Sequence, residues 1–278
     1  MNYFIESTYL LASILFVLGL KAMSHPDSAR RGMFYAEAGM LMAIIGTLLN
    51  RQIVSYEWII IGLVIGSAIG AMMSIWMPMT AMPQRTALSH AFGALAAALV
   101  GISEYSIYGA DLGRVKIGAL GFEILLGSLT TTGSLIAFGK LQGLVQGTPI
   151  QFKGQQIFNF TLMAVTVGSY IYLLRDPSAS FAFYLMVALS FVFGVLLVIP
   201  IGAADMPVVM SLLNSYAGLA AAATGFVLGN NVLIIAGTLD GFSGFILSIL
   251  MCRAMNRSMS NVLFGAFGAE SSSAAGPA

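Results

Sequence analysis

Long apolar stretches recur nine times along this chain, at about residues 5–21, 33–50, 57–76, 85–103, 118–138, 156–174, 180–199, 206–229 and 231–252. A helix of about 20 apolar residues crosses a hydrocarbon layer about 30 Å thick, so each stretch is long enough to span a bilayer. Only 8% of the 278 residues are charged, against about 25% in a soluble domain. The mean hydropathy is +0.91. The runs are continuous rather than alternating, which argues against β-strands. The fold class expected is an all-α membrane protein, a polytopic bundle of nine transmembrane helices. The first run has no preceding basic region and no A-x-A site, so it reads as a span that stays rather than a cleaved signal.

The connections carry turn punctuation: HPDSARR, WMPMTAMPQR, GADLGRVK, QGTPIQFKGQQ, RDPSA, GAAD and GNN. Orientation follows from the excess of Lys and Arg in cytoplasmic loops. With the N-terminus outside, Lys21, Arg30, Arg31, Arg85, Lys140, Lys153, Arg253 and Arg257 face the cytoplasm. Arg51, Arg114, Lys116 and Arg175 face outward. The reverse arrangement inverts that ratio. Nine spans then leave the C-terminus in the cytoplasm. Residues 1–260 form the transmembrane helical domain. The tail GAFGAESSSAAGPA is small, polar and low in complexity, so 261–278 reads as a flexible cytoplasmic linker.

Several function classes fall away. The net charge of +1 gives no general attraction to nucleic acid. A single Cys252 excludes an internal disulfide and a cysteine-based metal cluster, and two histidines leave little for a metal site. There is no G-x-G-x-x-G and no G-x-x-x-x-G-K-[ST], so the chain has no nucleotide site of either type. No Ser–His–Asp spacing occurs.

Small residues mark the helix faces suited to close packing. Gly62, Gly66 and Gly70 form a double GxxxG stripe, Gly127, Thr131 and Ser134 a second, and Gly237, Gly241, Gly244 and Ser248 a third. The stretch Gly202–Gly225 adds polar character to such a face. Asp205 suits a helix N-cap, and Pro207 falls in the first turn, where a missing N–H does no harm. Ser211, Asn214, Gly218, Ala221 and Gly225 then align on one side of the helix. Asn214 lies about 14 Å beyond Asp205 at about 1.5 Å per residue, near mid-membrane.

Ionisable groups within spans are the candidates for chemistry. His90 is the one histidine inside a span, about 9 Å into the fourth helix, near the small residues Gly93, Ala94, Ala97 and Gly101. An imidazole exchanges protons near pH 6.5, so His90 is either a proton carrier or a neutral side chain bonded to a neighbouring helix. Asn214 can orient water or pair with an imidazole, or simply join helices. Glu123 is an outer proton entrance or a solvated interfacial acid. Asp240 lies about mid-span beside the Gly237–Gly241–Gly244 face, so it should point into the bundle and needs a proton or a partner. Glu37 poses a milder version of that question.

The motifs MTAMPQ, LSHAFGALAAALVG, TGSLIAFGKLQG, GADMPVV-like AADMPVVMSLLNSYAG and CRAMNRS together resemble the beta subunit of proton-translocating NAD(P) transhydrogenase, from one end of the chain to the other. The resemblance implies the membrane portion of an enzyme in which one domain binds NAD(H), another binds NADP(H), and a membrane domain couples hydride transfer to proton movement. It implies no cofactor bound by this chain, and an NADP(H)-binding domain beyond the linker. Its implied partners are an alpha subunit, which carries the NAD(H) domain and further membrane helices, and a second copy of the complete unit. It also implies a bacterial cytoplasmic (inner) membrane. By residue, His90 matches the family's protonatable histidine, Asn214 its polar channel partner, and Asp205 a cytoplasmic acid that couples to the NADP(H) domain. Glu123 matches an acid near the outer surface, and Gly244 a helix glycine that tolerates no bulk. Asp240 departs from the apolar residue expected, and Asn231 replaces an acid of some relatives. With Ser211, Glu123 and Asp240 complete the expected proton path.

Two other classes fit the same composition. A secondary transporter for a small solute favours internal repeats and broken helices, but no repeat is evident and Pro200 and Pro207 lie at span ends. A purely structural anchor would tolerate Ala or Leu at every polar mid-span position.

Overall fold

A computed structural model describes residues 2–49, 56–256, 258, 259 and 262. The described residues form nine long α-helices: α1 (Asn2–Met23), α2 (Ala29–Leu48), α3 (Glu57–Trp76), α4 (Met82–Tyr108), α5 (Arg114–Leu141), α6 (Gln155–Arg175), α7 (Ser180–Val198), α8 (Met206–Leu228) and α9 (Asn231–Ala254). Each coincides with one of the nine apolar stretches. Eight are long and apolar enough to cross a membrane. The exception is α2, whose apolar run is diluted by Arg30, Arg31 and Glu37. Arg51, Arg257 and the expected linker at 261–278, apart from Val262, lie outside the described residues.

The architecture is a bundle centred on α5 and α8. Each has 67% of its most apolar window buried, whereas α3 has 0%. Neighbours in sequence form antiparallel pairs, α1 with α2, α4 with α5 and α8 with α9, while α5 also packs on α7 and α8. In α2 the buried residues are Gly32, Gly39 and Gly46, one every seven residues. A Cβ at Gly32 would come within 2.7 Å of the Gly19 carbonyl oxygen. Among the described residues α3 makes no comparable packing, and nothing lies within 4 Å of a Cβ built on Gly62, Gly66 or Gly70. That small face, expected to seat a neighbouring helix, has no partner among the described residues.

The α8–α9 turn shows how local chemistry sets the helix order. Gly229 sits at φ +68°, a left-handed conformation that ends α8 and suits glycine. The Asn230 side chain then accepts a hydrogen bond from the Leu233 amide at 3.2 Å and opens α9. The start of α8 differs from expectation. Asp205 occupies the N-cap position, but its side chain does not cap the helix. It closes a 3₁₀ turn, Ala203–Asp205, at φ −92° and ψ 0°. A capping carboxylate needs an extended backbone to reach the amides of the first turn.

Candidate functional site

The polar stripe of α8 faces α9 along its whole length. A Cβ at Gly218 would meet the Gly241 nitrogen at 2.3 Å, one at Gly237 the Ala222 nitrogen at 2.4 Å, and one at Gly244 the Asn214 Nδ2 at 2.8 Å. Backbones this close exclude any side chain at those three positions. Ser215 ties the seam further, its hydroxyl donating to the Gly241 carbonyl at 2.7 Å. Ser211, one turn before Asn214, instead donates to the Met251 sulfur at 3.2 Å and stands apart from the polar centre.

Close approach at Gly244 brings Asn214 to Asp240. The Asn214 amide donates to the Asp240 carboxylate at 3.2 Å. His90, from α4, stands beside Asn214 and within electrostatic reach of Asp240. Three helices thus place an imidazole, an amide and a carboxylate together. The His90 Nδ1 is buried and makes no hydrogen bond among the described residues. His90 also lines a cleft of about 810 Å³ between α3 and α4, with Gly66, Gly70, Ser74, Arg85 and Ser89. Of the small residues near His90, Ala94, Ala97 and Gly101 are buried, with Ala98 beside them, whereas Gly93 is exposed. Asp240 does meet a partner, but it also stays exposed, bordering a recess formed by Phe16, Leu20 and Met23 of α1. Its partner is an amide rather than a cation. Glu37 lies exposed on α2 beside Met40, Leu41 and Ile44.

Asp205 lies apart from this cluster, at the end of the bundle where the α5–α6 and α7–α8 connections meet. The Ala203 amide donates to the Gly147 carbonyl at 2.8 Å, joining the α7–α8 connection to the α5–α6 connection. Lys140 secures the same rim. Lys140 is 3% exposed, and its ammonium donates to the carbonyls of Ile199 and Ile201 at the end of α7. Sequence counting treated Lys140 as a loop charge. The longer α5 instead carries it inside, where it satisfies carbonyls that α7 leaves open.

Glu123 is 0% exposed. It is not a solvated interfacial acid: the Thr224 hydroxyl of α8 donates to Oε1 at 2.7 Å, and Oε2 makes no hydrogen bond among the described residues. Gly101 of α4 gives it space, since a Cβ there would lie 3.3 Å from the Glu123 carboxyl carbon. Thr224, Ser215 and Lys140 are the polar residues that sequence reasoning passed over. Thr224 lies one position off the α8 stripe and faces α5, so its partner is visible only once α5 and α8 are packed.

The described residues are helices and short turns without a strand, and offer no glycine-rich strand-to-helix turn.

Long apolar helices packed through glycine seams, with an imidazole, an amide and a carboxylate brought together where three of them meet, define an integral multi-pass membrane protein. The chain belongs to the NAD(P) transhydrogenase beta subunit family, whose pattern matches residues 5–278. It is similar to two proteins named NAD(P) transhydrogenase subunit beta, one from Rhodospirillum rubrum and one from a strain of that species. Each is 44% identical over 276 residues, covering 97% of this chain. The chain spans 59% of the length of these relatives.

Proposed function

We propose that this chain is the membrane module of a proton-translocating NAD(P) transhydrogenase, in which hydride transfer between NAD(H) and NADP(H) drives proton movement. Family membership supports the enzyme, and the meeting of His90, Asn214 and Asp240 supports the proton path. The imidazole takes a proton from one aqueous side and yields it to the other. Asn214 orients the ring or a bridging water, and Asp240 offsets the charge of the protonated imidazole. Asp205, on the rim braced by Lys140, is the coupling acid. A module of this kind works by switching the side to which His90 opens, with nucleotide occupancy elsewhere setting the equilibrium.

In this reading all nine helices cross a bacterial inner membrane, with the N-terminus outside and the C-terminus cytoplasmic. The partners are an alpha subunit, an NADP(H)-binding domain reached through a linker at 261–278, and a second complete unit. The cleft beside His90 is where further membrane helices of the alpha subunit fit.

The test is His90→Ala in the complete enzyme, reconstituted in liposomes containing a pH-sensitive dye. Loss of coupled proton uptake is expected, and undiminished uptake removes His90 from the mechanism. An anchor without a proton path predicts that Asn214→Leu leaves turnover unchanged.

A further inference from the structure

Glu37 is an acid within a helix that neither the proton path nor the packing of the bundle uses. It lies eight residues beyond Ala29, about 12 Å into a helix about 30 Å long. Its side chain is exposed and makes no hydrogen bond or ion pair among the described residues. α2 packs on α1, and on no other described helix to a comparable extent. It is also the one of the nine that is not apolar enough to cross a membrane by itself. A helix left at the edge of a bundle meets lipid over most of its surface and needs an apolar surface to do so. The least apolar helix therefore stands in the place that suits it worst.

A second carboxylate faces the same surface. The recess beside Glu37 is lined by Ala36, Met40 and Leu41. The next recess is lined by Ala36 again, by Phe16 and Leu20 of α1, and by Asp240 of α9. The two join at Ala36 into one trough of α1, α2 and α9. Asp240 is nine residues beyond Asn231, about 14 Å into α9, so both acids lie near mid-membrane. One Asp240 oxygen accepts from Asn214, and the other makes no hydrogen bond among the described residues.

Hydrocarbon meets neither acid in either state. Ionised, each has lost its hydration; protonated, each carries an O–H donor without an acceptor. Lipid headgroups stay at the interface, about 15 Å from the bilayer centre, and so do not reach this depth. A membrane helix does. A second copy of this chain lacks the charge, because every described Lys and Arg lies in a connection or within three residues of a helix end. We propose that the trough seats a membrane helix of a different chain, which carries a Lys or Arg at mid-span against Glu37 and Asp240. An ammonium or a guanidinium has donors enough for both carboxylates. This seat is independent of the proton-path reading, and of the cleft beside His90, which α3 and α4 line.

A photo-reactive benzophenone side chain in place of Leu41, which shares the recess with Glu37, tests the seat in native membranes containing the full chain. The expected adduct joins a different chain, through a membrane segment with a Lys or Arg at mid-span. Its yield should fall about tenfold in Glu37→Leu, as loss of a strong interhelical contact in lipid implies. Glu37→Lys should abolish it, and Glu in place of the partner's basic residue should restore it. Adducts on lipid alone, on a second copy of this chain or on a segment without a basic residue overturn the proposal. So does a yield unchanged in Glu37→Leu, or no recovery on exchange of the charges. Because Glu37 touches no partner within the chain, Glu37→Leu should leave thermal unfolding of the isolated chain in detergent where it is. A fall would assign Glu37 to the chain's own packing instead. None of these readings involves pumping, so failure of the His90 experiment leaves the seat standing.

Discussion

Two glycine faces in this molecule carry the same sequence signature and meet opposite fates. On α9, Gly237, Gly241 and Gly244 lie in direct backbone contact with α8. On α3, Gly62, Gly66 and Gly70 face open space. A run of small residues at four-residue spacing states that a helix can be approached closely, but not by what. α8 precedes α9 by a two-residue turn and delivers a complementary stripe of its own. No helix among the described residues brings one to α3. The contrast separates a seam that this chain fills from a small face that no described helix fills.

Four substitutions bear on that contrast, from the largest effect to the smallest. Gly237→Leu forces a side chain into the Ala222 backbone and should destabilise the chain by about 3 kcal/mol, read from thermal unfolding in detergent. Lys140→Met leaves the carbonyls of Ile199 and Ile201 unmet and should cost about 2 kcal/mol in the same assay, largely restored in Lys140→Arg. Asn214→Leu removes the bond to Asp240, and a partly exposed interhelical bond of this kind is worth about 1 kcal/mol or less. Its stability effect should therefore be small beside its effect on proton uptake. Gly66→Leu should change the stability of the chain alone by no more than about 0.5 kcal/mol, because it meets open space. The same variant should reduce recovery of an alpha subunit co-purified with the chain. If Gly66→Leu destabilises the isolated chain as much as Gly237→Leu, the distinction between the two faces fails.

Much of the architecture was legible beforehand. Nine apolar stretches match nine helices because, without water, a backbone can satisfy its hydrogen bonds locally only as a helix. The α8 stripe was legible for a related reason, since 3.6-residue periodicity places Ser211, Asn214, Gly218, Ala221 and Gly225 on one side whatever they touch. The heptad of Gly32, Gly39 and Gly46 carried an equally readable signal on α2, and its weaker hydropathy hid it. Asp205 was misread as a side-chain cap because cap geometry depends on backbone angles that residue type only biases.

The sequence by itself determined that this chain lies in a membrane as a row of helices, which sides of those helices are small or polar, and that a histidine lies within one of them. Those properties are periodic and local. Only the tertiary structure decided that Asp240 bonds Asn214, that Lys140 caps α7 from inside, and that Glu123 is buried against Thr224. Each of these pairs joins residues 26 to 101 positions apart. Contacts over such separations are set by which helices come together, and in lipid that choice rests on shape and hydrogen bonding between whole faces rather than on any one residue's preference.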